Sequence, residues 1–383
     1  MNTSLRVLVT GARAPVALHV CRLLRQSGAE VYATDCTPSP LTKASNSIKR
    51  FISTPSPKFE IKNYIEALVE LVKEESIDYL IPTCEEIFYI SMYKDVIGQY
   101  CEVLVDDFSK LKTLHHKFEF LKMVDTLGFQ VPKTTVLTRN TMINEWLERN
   151  DLVMKKIYSR FSDSIIFLSS EKDIPNISFD DSSWILQERI NGEQFCSYTI
   201  AKDGKVLAHS VYKSNFTAGL GATISFEHLD RYDIEQFVCK IVEHLNFTGQ
   251  ISFDFIVNDR NRAIPIECNP RATSGLHLFD QEIVAALLLQ PQKGFLTPKK
   301  RKREAIKLAM LLFGLQQARN VQKVVEWLKI VFSYKDITFR VKDPFPYFYQ
   351  VISLMKLWRE SKKNAVTLLQ QSTYDISWDG DER

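Results

Sequence analysis

Apolar positions fall into short runs separated by polar helix-like stretches over the first hundred residues. Residues 5–10 (LRVLVT) form a buried-strand pattern, a turn spans Gly11 to Pro15, and Pro15 is placed to start a helix reaching about Gln26. Gly28 closes that helix, and residues 30–34 predict a second strand ending at Asp35. A helix at about 61–75, a strand at 77–81 and a helix at about 86–98 continue the alternation. Strand–helix alternation of this kind builds a parallel sheet. Gly11, Ala17 and Asp35 bring to mind a dinucleotide-binding turn, but Gly-x-Gly-x-x-Gly is not met and a structural reading is preferred.

Beyond residue 110 the period changes. An amphipathic helix follows Lys117 and runs into the turn and strand at Gly128–Pro132. Residues 151–156 read as a strand with Lys155 near its end, and 184–190 as a strand leading into the turn Asn191-Gly192-Glu193. Residues 194–201 and 205–212 alternate as a hairpin across Asp203-Gly204. The segment 213–228 reads as a flexible loop, with Tyr212 or Lys213 able to face a substrate.

The densest signal lies at residues 249–274, GQISFDFIVNDRNRAIPIECNPRATS. Two alternating strands flank the turn at residues 258–261. Period two puts Glu267, Asn269 and Arg271 on one face, and hairpin pairing can bring Asp254 alongside. Two carboxylates and an amide oxygen are hard donors that suit Mg²⁺, which commonly completes its shell with water and nucleotide phosphate. Arg271 can clamp a phosphate in bidentate fashion. A solvated surface hairpin is the alternative. Against it stand Ile251, Phe253, Phe255, Ile264 and Ile266, which would bury the hairpin and leave its acids needing a partner. Cys268, between the two ligand positions, should point to the other face.

Composition narrows the class. The 383 residues are 45% hydrophobic, enough for two or three domains with real cores. A formal charge of +3 signals neither a nucleic-acid nor a membrane partner. Seven scattered cysteines without a Cys-x-x-Cys pair suit reduced thiols, and the N-terminus runs straight into a strand. The expectation is a cytoplasmic protein. No P-loop, His-Glu-x-x-His or Gly-x-Ser-x-Gly motif is present.

Glu267-x-Asn269-x-Arg271 on a late strand, with Asp254 on its neighbour, resembles the metal and phosphate site of the ATP-grasp superfamily. The likeness is greatest to the branch of biotin carboxylase and the carbamoyl-phosphate synthetase large subunit, and covers roughly residues 5–280. It implies an α/β (α+β overall) chain with the ATP-grasp fold. A Rossmann-like domain would occupy residues 1–110, an ATP-grasp domain 111–290 with a small lid at about 130–190, and a basic linker with a helical extension 291–383.

The resemblance implies ATP with Mg²⁺ (or Mn²⁺) as cofactors, the metal at Asp254, Glu267 and Asn269. Lys117 and Lys155 would reach nucleotide phosphate, Lys155 and Arg271 would be catalytic, and Lys156 would point away. Gln187, Glu188 and Ile190 would form the hinge beside the adenine, and Glu193 would hold ribose hydroxyls. The loop over the phosphates, SRFSDS at 159–164, lacks the glycines usual there. Arg160, Ser159 or Ser162 would then substitute for backbone amides.

The implied activity is an ADP-forming ligase that activates a carboxylate and joins it to an amine or similar nucleophile. A nucleotide-binding protein with lost or regulatory activity, and phosphorylation of bicarbonate or carbamate, are the alternatives. Small-molecule carboxylate and amine partners are expected, with no nucleic acid, no stable membrane association and a homodimer left open. In the last hundred residues, PKKRKR at 298–303 reads as a solvated linker, 304–331 as helical, and 345–358 as an apolar stretch too short to span a bilayer. Residues 378–383 are expected to fray.

Overall fold

A computed structural model describes residues 4–138, 141, 143–147, 151–159, 165–175, 183–219 and 221–381. Strands β1 (Arg6–Thr10), β2 (Glu30–Asp35), β3 (Arg50–Ser53), β4 (Tyr79–Ile81) and β5 (Glu102–Val103) form a parallel sheet in the order β3-β2-β1-β4-β5. The alternation read from the sequence therefore holds. Its helices run Pro15–Gln26 and Ile61–Glu74, while the helix expected at 86–98 breaks at Tyr93 into Ile87–Met92 and Lys94–Ile97. Asp35 accepts from the backbone N–H and guanidinium of Arg13 and from the Thr37 N–H, so it is engaged within the protein.

Two antiparallel sheets follow. β6 (Thr134–Val136), β7 (Leu152–Lys156), β8 (Ile165–Leu168) and β9 (Trp184–Glu188) pair in the order β6-β9-β7-β8. The second sheet first takes β10 (Glu193–Lys202) and β11 (Lys205–Lys213). Next come β12 (Thr217–Ala218) with β13 (Ala222–Thr223) as a small ribbon, and β14 (Ser225–Glu227). Thus 213–228 is not a plain loop. β15 (Gly249–Val257) and β16 (Ala263–Asn269) complete the order β11-β10-β15-β16.

One face of this second sheet is aromatic. Phe253 lies 5.9 Å from Phe120 of the helix Lys117–Thr126 and 5.3 Å from Phe237 of the helix Tyr232–His244, ring centre to ring centre. Cys268, opposite Phe253 in the ladder, shares that buried side. The opposite face is left for the site.

The C-terminal part departs most from expectation. β17 (Arg303–Ala305) was not foreseen; it pairs with β14 and with β18 (Lys335–Asp336). Lys302 and Arg303 are not free linker charges either: Lys302 bonds Asp280 and Arg303 bonds Glu227. A helical run from Lys307 to Gln317 and the helix Val321–Ser333 fit the periodicity read there. The helix Phe345–Lys363 packs its Gln350 and Ser353 side onto the first domain near Leu41–Ala44, and leaves Phe345, Phe348, Met355 and Trp358 exposed. Among the described residues no helix is long and apolar enough to cross a membrane.

Two contacts clamp this segment to the first domain. Asp343 is buried and accepts from the Arg22 guanidinium at 2.8 Å, the Ser45 hydroxyl at 2.7 Å and the Asn46 N–H at 3.0 Å. Arg22 also donates to the carbonyls of Ile337 and Thr338. Such a pair is tolerable inside a protein because its remaining donors and acceptors are also matched. The second contact overturns the expected fraying at Trp378. Its indole is 3% exposed, stacked 5.1 Å from Phe88 and edge-on to Phe108 and Tyr158. An aromatic pocket assembled from three distant segments outweighs the mobility expected near a chain end.

Breaking the buried pair leaves an uncompensated guanidinium. Asp343→Ala should therefore cost about 3–5 kcal/mol in urea unfolding followed by circular dichroism. A change below about 1 kcal/mol, the range of exposed pairs, would contradict the clamp.

Candidate active site

The site grows from the β15–β16 ladder. Asp254 stands directly opposite Glu267, and Ser252 opposite Asn269, with a bulge between Asp254 and Phe255. Directly opposed residues project to the same face, so both carboxylates and the amide meet on the side away from the aromatic core. The Asn269 amide N–H lies 3.4 Å from Asp254 Oδ2, and its Oδ1 accepts from Arg271 at 3.0 Å. Among the described residues no group of three or more His, Cys, Asp or Glu side chains gathers as a metal cluster. The set here has two carboxylates, with the amide as third oxygen donor.

Two lysines approach from other elements. His116 caps the helix Lys117–Thr126 by accepting from the Glu119 N–H, which sets Lys117 at the helix start. The buried Lys117 ammonium lies 3.8 Å from Glu267 and donates to the carbonyls of Ile157 and Ser159. Lys155 leaves β7 on the buried side and donates to Gln187 Oε1 at 2.9 Å; Gln187 in turn donates to Thr134. Lys156 turns outward over the Trp184 ring, as period two requires.

Electrostatics follow from this placement. Burial pushes the Lys155 ammonium down to about 8, with Lys117 adding repulsion and Glu267 and Asp254 opposing. Burial, and then the neighbouring Glu267, push the Asp254 carboxyl up. Burial also disfavours the Glu267 anion, but Lys117 and Lys155 outweigh it and hold that carboxyl low. Asp254 thus holds its proton more tightly than an ordinary carboxyl, while Glu267 stays ionised beside the lysines.

Arg271 is the surprise. Its guanidinium donates to Glu85 at 2.7 Å, Asn269 at 3.0 Å and the Ala272 carbonyl. Glu85 follows β4 and is buried, so the first domain reaches the site beyond the C-terminal end of a parallel strand. Arg271 lines the cavity with much of its donor set already used, which restrains it as a phosphate clamp. The hinge positions lie apart. The Glu188 N–H is bonded to the Lys133 carbonyl, the Glu193 side chain is exposed and paired with Lys213 at 2.5 Å, and neither these residues nor Gln187, Ile190 or Lys117 borders the cavity described next.

That cavity, of about 440 Å³, is bordered by Lys155, Asp254, Glu267, Asn269 and Arg271. Tyr212 borders it too, as read from the sequence, whereas Lys213 is held by Glu193. Residues not singled out in the sequence complete much of the wall: Arg13, Thr37 and residues 39–41 of the first domain, residues of the 307–317 helical run, and the helix Phe345–Lys363 with the segment after it. Arg160 and Ser162, proposed stand-ins for backbone amides, lie outside the described residues.

Residues 114–275 match the family model of the ATP-grasp domain. The chain carries an ATP-grasp domain. Its relatives by sequence are remote. An uncharacterized protein of Methanocaldococcus jannaschii is 23% identical over 168 residues, 42% of this chain and 42% of that one. Multifunctional protein pyr-3 of Neurospora crassa is 23% identical over 180 residues, 43% of this chain but 10% of that one. The match thus spans well under two thirds of either curated relative.

Among solved structures, N5-carboxyaminoimidazole synthetase from Staphylococcus aureus complexed with ADP has a TM-score of 0.62 at 12% identity, covering 79% of this chain and 82% of that one. L-amino acid ligase from Bacillus licheniformis has a TM-score of 0.55 at 12% identity, covering 71% and 68%. A biotin carboxylase from Campylobacter jejuni has a TM-score of 0.60 at 13% identity, covering 76% and 72%. These likenesses show a shared fold. In the ATP-grasp domain of this chain, β6–β9 form the smaller sheet and β10, β11, β15 and β16 the larger, and Lys155 of the first and Glu267 of the second border one cavity.

An amine titrating near 8 stands out from ordinary lysines near 10.4. NMR of lysine-labelled protein should show one ammonium losing its proton at about pH 8, absent from Lys155→Met. A Lys155 midpoint above 10 would contradict the burial described here.

Proposed function

We propose that the chain is an ADP-forming ligase that uses Mg-ATP to activate a carboxylate as an acyl phosphate and passes the acyl group to an amine or similar nucleophile. The observation that carries this is the convergence of Asp254, Glu267 and Asn269 with Lys155 on one cavity, Lys117 3.8 Å from Glu267. The donor set fits a divalent cation: two cross-strand carboxylates whose mutual repulsion calls for added positive charge, and an amide oxygen. Asp254, Glu267 and Asn269 would hold Mg²⁺, which would offset the negative charge of the nucleotide phosphates.

The remaining work belongs to the chain's own groups. Lys155, fixed by Gln187, meets the charge on the transferred phosphoryl group while protonated. Lys117 keeps Glu267 ionised and ties it to the carbonyls of Ile157 and Ser159, just past β7. Arg271, held by Glu85, presents its remaining N–H groups to the reacting acid or phosphate. The carboxylate oxygen attacks the γ-phosphorus as ADP leaves; the nucleophile then attacks the acyl carbon as phosphate leaves. Little covalent chemistry is asked of the protein; positioning and electrostatics suffice. The fold shared with an amino acid ligase and with carboxylases supports this class, and the names of the two substrates are left to experiment.

ADP release from the full chain with ATP, Mg²⁺ and pooled carboxylates and amines should depend on the pool. Glu267→Gln should lower turnover by about 10²-fold or more, the scale of losing one charge-stabilising group, with a much smaller change in nucleotide affinity. A Glu267→Gln variant at the full rate would refute the role. Because Lys155 is cationic below about 8, kcat/KM for ATP should fall as pH rises beyond that value, following the rise that comes as the raised Asp254 carboxyl ionises, and Lys155→Arg should remove the falling limb. A flat profile to pH 9.5 in the unaltered chain would count against Lys155 on the phosphates.

A further inference from the structure

We infer that the acid taken by this cavity carries an apolar chain, seated against a wall that the C-terminal segment builds; this rests on the ligase reading above. The cavity has two chemically different ends. At one are Lys155, Asp254, Glu267, Asn269 and Arg271. The other wall is supplied by Leu308, Leu312 and Phe313 of the 307–317 helical run, Leu354 and Leu357 of the helix Phe345–Lys363, and Leu369. Positions 350, 353, 354 and 357 follow helical spacing, so one face of the Phe345–Lys363 helix looks inward.

Polar groups on that wall are mostly committed to the protein. Ser353 donates to the Ser39 carbonyl and Lys356 bonds the Ser39 hydroxyl. Gln350 donates to the Tyr347 carbonyl, and Gln371 accepts from Asn364. Arg13 is held between Asp35 and Asp375. The side chains of that wall not so engaged are mainly leucine and phenylalanine. Glu360, one turn beyond Leu357, also borders it, and its charge repels an acid's carboxylate. The acid therefore lies with its carboxylate toward Lys155 and Arg271 and its chain along the leucines. The volume of about 440 Å³ falls within the roughly 300–1,000 Å³ of small-molecule sites lined mainly by apolar groups. Leu354, Leu357 and Leu369 are half-buried although they belong to a packed segment, as expected of side chains that meet a ligand.

Calorimetric titration of the full chain in Mg-ADP with straight-chain carboxylates from acetate to dodecanoate tests this directly. Affinity should rise about fourfold per methylene, the increment for burying a CH₂ group, and level off once the cavity is filled. Leu354→Asp and Leu369→Asp should each flatten that series, while their Mg-ADP affinity, measured in the same cell, reports that the fold survives. Two results would overturn the inference: affinity independent of chain length, or a slope that both variants leave unchanged. Length-dependent binding without ADP formation from any acid and amine would sink the ligase reading yet leave the apolar site standing.

Discussion

The register of one β-ladder governs the site. Asp254 faces Glu267 across β15 and β16, while Phe253 faces Cys268 on the other side. Strand side chains alternate, so a slip by a single residue would send the carboxylates into the phenylalanine core and the core into the cleft. Phe120 and Phe237 pack against Phe253 and hold the register from one face. On the other, two carboxylates forced together need compensating cations, and Lys117 and Lys155 come from two different elements to supply part of that charge. Packing on one face and electrostatics on the other thus favour the same alignment.

The first domain and the C-terminal segment are parts of this cleft. Glu85 orients Arg271 across 186 positions of sequence. Arg22 and Asp343 join the first helix to the start of the terminal segment through a fully matched buried pair. Further on, Arg13 meets Asp375, and Trp378 seals a pocket that includes Tyr158, two residues past β7. Motion of the terminal segment would therefore be felt at the strand that carries Lys155.

Much of this was legible in the sequence. Period-two patterns exposed the 249–257 and 263–269 strands and the side on which Asp254, Glu267 and Cys268 would fall, because a half-buried strand must alternate. Lys155 and Lys156 were separated by the family resemblance, and the strand's alternation places them on opposite sides. Arg271 was found, but not its partner: nothing local to Glu85 reveals a guanidinium nearly two hundred residues away. The terminal helix misled because its outer face is also apolar, with Phe348, Met355 and Trp358 exposed, so amphipathic periodicity did not mark Leu354 and Leu357 as a cavity wall. Trp378 read as chain-end debris because its pocket is assembled entirely from distant segments. Short strands such as β12, β13 and β17 have too few residues to show a period at all.

The proposal is at root spatial: one divalent cation would sit among Asp254, Glu267 and Asn269, with nucleotide phosphates beside Lys155. Anomalous diffraction from crystals of the full chain grown with ADP and Mn²⁺ tests it most directly. The account predicts a manganese peak within bonding distance of both carboxylates and a diphosphate in contact with the Lys155 ammonium. A metal or nucleotide bound elsewhere, with those carboxylates unligated, would contradict it.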